Sequence, residues 1–200
     1  LAMVMMRRER LDEGLGYWEA SILHRPRLSI LKNSKYDPKL GKAECLFAMF
    51  RFSECRHLLY EIIEEVPVDP DAYRVLANID LREGKYEQAL SWWGRIEEQF
   101  PNTLAPLLGQ ARCLLEMRRF SQAEELLNIG KLNWPESTEL ALLRSRLAMN
   151  TARPDLARET LLHLIGTHPH LISAYALLFE LFKSTDELVS LQPLIDKVPT

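Results

Sequence analysis

Apolar residues recur along this chain in charged, helix-length runs, and the runs stop at regularly spaced prolines. In "RIEEQFPNTLAPLLGQARCLLEMRRFSQAEELLNIGKLNWPES" the stops are Pro101 and Pro135, and the same step of 34 residues reaches Pro67 and Pro169. A fixed period of this length predicts a repeat architecture. Placing each proline thirty-second in a 34-residue frame divides the chain into segments 36–69, 70–103, 104–137 and 138–171. The eighth place then holds Ala43, Ala77, Ala111 and Ser145, and the twentieth holds Cys55, Ala89, Ala123 and Ala157. All eight are small.

Each segment therefore reads as two antiparallel helices that approach closely where neither presents a large side chain. Leu46, Leu114 and Leu147 of the first helices and Leu59, Trp93, Leu127 and Leu161 of the second supply the apolar contact around that crossing. The turns fall near "EGKY" and "MRRF"; Phe52, Tyr86 and Phe120 follow them at one shared place and fill the gap between the helices. Pro154 replaces them in the last full segment, where proline is tolerated in a first helical turn. The closing prolines stop the second helices, because they lack an N–H and push the preceding residue out of helical geometry.

Residues 1–28 fit the frame from its seventh place, as the end of a first helix plus a second helix, with Ala2 and Gly14 as the small pair and Pro26 as the stop. Residues 29–35 read as an insertion or linker. Residues 172–200 give an atypical, capping helix pair, with Phe179 and Leu191 where small residues belong and Pro193 inside the second helix. The chain is expected to be a stretch of a longer array.

The period, the small residues, the aromatic at the seventeenth place and the closing proline resemble the tetratricopeptide-repeat family, and "DAYRVLANIDLREGKYEQALSWWGRIEEQFPN" resembles it most closely. The resemblance implies an all-α fold, a right-handed solenoid of stacked antiparallel helix pairs, built to bind proteins. Lys42, Gln110 and Arg144 depart from the family pattern at a place it fills with leucine, and Asp80 stands where it has a large apolar residue. These departures are expected to weaken single repeats and keep the register. Segments 36–69 and 104–137 share "LGKAECL"/"LGQARCL" and "RFS", which reads as duplication of a two-repeat unit, with a shared binding role of the two segments as the alternative.

Composition narrows the function. A net charge of −3 gives no basic stripe, which argues against nucleic acid. No apolar run has the roughly 18 residues of a membrane span, and "LAMVMM" followed by "RRER" has its charges on the wrong side for a secretory leader. The expected location is the cytoplasm. Three cysteines (Cys45, Cys55 and Cys113), an odd number with no paired short spacing, read as small buried apolar residues rather than zinc ligands or a disulfide framework.

His163, His168 and His170 crowd "HLIGTHPH" but straddle a helix end without an i, i+4 pair, so they read as solvated turn residues. No glycine-rich phosphate cradle and no nucleophile with its base is present in the sequence, and no metal or cofactor is expected. The chain reads as a binding protein, not an enzyme.

In the resembled family the second, fifth, sixth and ninth places contact an extended or helical peptide. Arg74 with Asn78 matches half of that family's clamp for a peptide's terminal carboxylate, while Gly109, Glu139 and Leu143 stand where the other half needs Asn, Lys and Arg. The groove expected here is made of Arg74, Asn78, Leu108, Arg112, Leu142, Leu143 and Arg146. It suits a protein or peptide with acidic side chains and one or two apolar anchors. Two alternatives accompany this reading: a structural module that self-associates through an exposed Trp92 and its broken ends, and an RNA-binding helical repeat, which the acidic balance disfavours. An accessory domain of a larger regulatory protein or enzyme is a further alternative.

Overall fold

The computed structural model describes residues 2–24, 38–67 and 69–185, with side chains placed from residue 10. The insertion expected at 29–35, the stop at Pro26 and the second half of the capping pair lie outside the described residues.

All regular structure among the described residues is helical. The helices are α1 (Ala2–His24), α2 (Pro38–Ala48), α3 (Phe52–Glu65), α4 (Pro70–Arg82), α5 (Tyr86–Gln99), α6 (Leu104–Glu116), α7 (Phe120–Asn133), α8 (Thr138–Asn150), α9 (Pro154–Thr167) and α10 (Ile172–Ser184). From α2 to α9 they fall two to a 34-residue segment.

The stops work as the prolines require. Val66, Phe100, Trp134 and His168 each end a second helix with φ between −128° and −136° and ψ between 63° and 84°, well outside helical geometry, and each precedes a closing proline. First helices end differently. Phe50, Gly84, Arg118 and Ala152, one period apart, all have positive φ. The N–H of the following residue then reaches back past a full turn: Lys85 donates to the Asp80 carbonyl at 2.8 Å, and Arg51, Arg119 and Arg153 donate likewise to Leu46, Leu114 and Ala148 at 2.9 Å. This is the Schellman arrangement, and it turns the chain back onto the helix just finished. Starts are capped by Asp69, whose carboxylate accepts from the Asp71 and Ala72 N–H groups, and by Ser137, which accepts from Leu140.

Residues 2–24 form one unbroken helix rather than the expected end of one helix plus a second. "RRERLDE" consists largely of strong helix formers and holds no glycine or proline, so nothing local breaks it.

The described chain forms two compact units, Leu1–Asn102 and Thr103–Thr200. In the first, α2 pairs with α3 and α4 with α5; α4 lies against both α2 and α3, and α1 lies on α2. Trp18 of α1 covers Gly41 so closely that a Cβ there would stand 2.5 Å from its ring. In the second, α6 pairs with α7 and α8 with α9; α8 lies on α6 and α7, and α10 on α8 and α9. First helices thus stack on first helices within each unit.

All eight small residues of the frame are buried to 1% exposure or less. Cys55 Sγ donates to the Ala43 carbonyl at 3.1 Å, one small place bonding the other across the helix pair. Ser145 turns its hydroxyl back onto the Ala141 carbonyl at 2.9 Å, which satisfies it inside the core. The large apolar residues predicted around the crossings are buried as well. No described helix is long and apolar enough to cross a membrane.

Candidate partner-binding face

The residues expected to line a groove lie on first helices, two in the first unit and five in the second. Their surroundings differ by unit.

In the first unit, Arg74 is already engaged. Its Nη2 donates to Glu44 of α2 at 2.7 Å and its Nε to Asp71 at 3.0 Å. Burial works against the charge, but these carboxylates outweigh it and hold the guanidinium above its ordinary pKa. Asn78, one turn on, is half-buried, and Leu40, which holds in α2 the place that Arg74 holds in α4, is buried.

In the second unit, Arg112 and Arg146 are exposed and Leu108 and Leu142 half-buried. Leu143 is placed otherwise. It is 6% exposed and packs into the core with Leu107, Leu140 and Leu147, because its position on α8 faces α6 and α7 rather than solvent.

Beside Arg146 opens a pocket of about 570 Å³ walled by α6, α8 and α10, with Glu116, Glu180, Met149 and Asn150 in its lining. None of Arg146, Glu116 and Glu180 forms a salt bridge among the described residues, in contrast to the Glu44–Arg74–Asp71 cluster. Glu116 and Asn150, one helical turn beyond Arg112 and Arg146, went unnoticed in the sequence. They sit one turn past the ninth place, and their polarity at a helix end resembles that of any turn.

Trp92 is not the exposed residue expected. It is half-buried, stacked on Tyr73 with ring centroids 5.4 Å apart, and its Nε1 donates to Asp80 at 2.8 Å. Asp80 itself is buried at 1% exposure and accepts from Arg56 of α3 at 2.7 Å. A carboxylate in an apolar place was the visible signal; its partners, 24 residues before and 12 after, were not.

His163, His168 and His170 are all exposed, and His168 Nδ1 lies 2.9 Å from the Thr167 hydroxyl. Among the described residues no group of His, Cys, Asp and Glu side chains gathers as a metal ion would need.

No protein-family model and no curated protein sequence matches the chain. Solved structures do. A tetratricopeptide-repeat protein from Parabacteroides merdae superposes with TM-score 0.73 at 12% identity, over 99% of this chain and 77% of that one. A thermophilic repeat protein of Thermus thermophilus gives 0.67 at 21% identity, over 74% and 82%. YrrB, described as a repeat protein with an unusual peptide-binding site, gives 0.55 at 12% identity over 90% of each chain. The pairing of helices at a 34-residue period and these superpositions agree: the chain has the tetratricopeptide-repeat fold.

Proposed function

We infer that this chain is a protein-interaction scaffold whose first-helix face binds a segment of a partner protein and performs no chemistry of its own. The observation that carries this reading is the pocket of the second unit, where exposed charges from α6, α8 and α10 converge without pairing to one another. Leaving ionised groups unpaired beside a cavity gains nothing for folding, whereas a partner with matching charges gains charge-assisted hydrogen bonds there. Arg112 and Arg146 suit acidic side chains, Glu116 and Glu180 suit a basic one beside them, and Leu108, Leu142 and Met149 suit an apolar anchor. The first unit contributes less, because Glu44 and Asp71 already occupy Arg74. A peptide-binding site is also named for YrrB, which shares the fold.

The test places a photo-crosslinking residue at Asn150 of the full chain and identifies the captured partner. Arg112→Glu together with Arg146→Glu should abolish that capture with the circular dichroism unchanged, and Glu159→Lys on α9 should not. Parental capture by the folded double variant would refute the reading.

A second reading, a structural module that self-associates, draws on Ile129 and Leu132 of α7. They are 53% and 83% exposed at places that hold Glu61, Arg95 and His163, and Glu64, Glu98 and Gly166, in the other repeats. Sedimentation velocity decides it: a monomer at every concentration removes this reading, and a dimer abolished by Leu132→Glu supports it.

A further inference from the structure

We propose that the second-helix side of the first unit carries a phosphate-binding cleft between α3 and α5, apart from the first-helix face. The cleft holds about 170 Å³. One wall is Arg56 and Tyr60 on α3, spaced i, i+4; the other is Gln88, Ser91 and Arg95 on α5, spaced i, i+3 and i+7. Helical spacing therefore brings five side chains to two facing surfaces, and all five carry hydrogen-bond donors.

The only carboxylate in the lining is Asp80, and it is turned inward. Oδ1 accepts from Arg56 Nη2 at 2.7 Å and Oδ2 from Trp92 Nε1 at 2.8 Å, while the side chain as a whole is 2% exposed. It does not confront an incoming anion; it fixes the guanidinium of one wall and the indole of the other. Trp92, held in this way and stacked on Tyr73, in turn carries the Arg95 guanidinium 4.7 Å from its ring centroid. The rim charge is thus positioned by a chain of contacts that begins at the buried carboxylate.

The donors are also unspent. Arg56 meets both Asp80 and Glu83 through Nη2 alone, so its Nε and Nη1 make no hydrogen bond among the described residues. The side chains of Tyr60, Gln88 and Ser91 make none either among those residues. Asp80 is balanced by Arg56, and Glu83 by Lys85 at 2.7 Å, which leaves Arg95 as the uncompensated charge. Two guanidinium groups, two hydroxyls and an amide offer more donors than the two oxygens of a carboxylate take. A phosphate monoester presents three acceptor oxygens and between one and two negative charges, and it fits this set.

The experiment is a titration of the full chain followed by ¹H–¹⁵N NMR at constant ionic strength, with inorganic phosphate, O-phosphoserine and acetate as probes. The chain has four tryptophans, so the Trp92 indole N–H can be read against Trp18, Trp93 and Trp134. Phosphoserine should shift the Trp92 signal saturably and acetate should not. Arg95→Gln should weaken the binding roughly tenfold, the loss of one charge-assisted hydrogen bond, while leaving the melting temperature unchanged. Phosphoserine tighter than inorganic phosphate assigns a phosphorylated side chain of a partner, and equal affinities assign the free ion. The proposal is overturned by the absence of a saturable Trp92 shift, by an equal response to acetate, or by unaltered affinity in the Arg95→Gln variant.

Discussion

Arg56 and Asp80, on the second helix of one repeat and the first helix of the next, form a salt bridge of 2.7 Å whose carboxylate is almost wholly buried. Burial opposes the Arg56 charge, yet Asp80 and Glu83 raise its pKa above the ordinary value. Asp80→Ala would leave Arg56 with Glu83 alone and the Trp92 N–H without an acceptor. The expected cost is about 2–4 kcal/mol in a denaturant melt, because a broken buried pair strands the partner left behind. Asp80→Leu combined with Arg56→Leu should recover most of it. A loss near the roughly 0.5 kcal/mol of a surface pair would show that solvent already screens this bond.

Most of the fold was legible because it is periodic. Small residues at two places and prolines at a third repeat their physical task in every segment, so each repeat corroborates the others. Asp80 shows where that legibility ends. The frame marks it as a departure and suggests a weakened repeat; the structure shows an anchor, since its partners Arg56 and Trp92 lie in other helices and a one-dimensional pattern does not pair them. Trp92 failed as a prediction for the same reason. Leu143 and Arg146 share one side of α8 in sequence, but residues three apart still differ by about 60° around the helix, and at the edge of the α6–α8 contact that offset puts Leu143 in the core and leaves Arg146 outside. In α1 the frame expected a turn, and an uninterrupted run of helix formers prevailed.

The helix crossing in the first unit gives a sharp contrast between neighbours. Ala89 is fully buried where α5 meets α4, and Ser91, two residues on, faces solvent. Ala89→Leu should overpack the crossing at a cost of about 1–3 kcal/mol. Ser91→Leu should stay within about 0.5 kcal/mol of the parent. Thermal melts in the reverse order would show that the small places do not mark the crossing.

The turns after the first helices store strain that can be removed. Ala152 has φ of 54° and is exposed, so its side chain gains no packing in return for a left-handed conformation. Ala152→Gly should stabilise the chain by about 1 kcal/mol, and Gly84→Ala, at φ of 74°, should destabilise it by a similar amount. Chemical denaturation measures both. Loss of stability in Ala152→Gly would mean that unfolded-state entropy outweighs the strain at this turn.

The thiols predict an alkaline weakness. Burial pushes Cys55 up to about 12 and Cys113 up to about 11, from an ordinary value of 9.0. Cys45 is raised too, by burial and by the Glu44 charge, but it is only half-buried. Only the thiolate attacks, so a disulfide reagent at pH 8 should label Cys45 first and reach Cys55 and Cys113 only on unfolding. The sign of the stability effect follows from the same shifts. Below the unfolded value of 9.0 both states hold neutral thiols and the contribution is complete; from there toward 11 and 12 the unfolded chain ionises first, and stability falls with rising pH. Lysines and tyrosines titrate in this window as well, so the comparison is between the parent and a Cys55→Ala, Cys113→Ala variant. The variant should lose less stability than the parent between pH 9 and 11 in denaturant melts, and parallel pH dependences in the two proteins would count against buried neutral thiols at these two crossings.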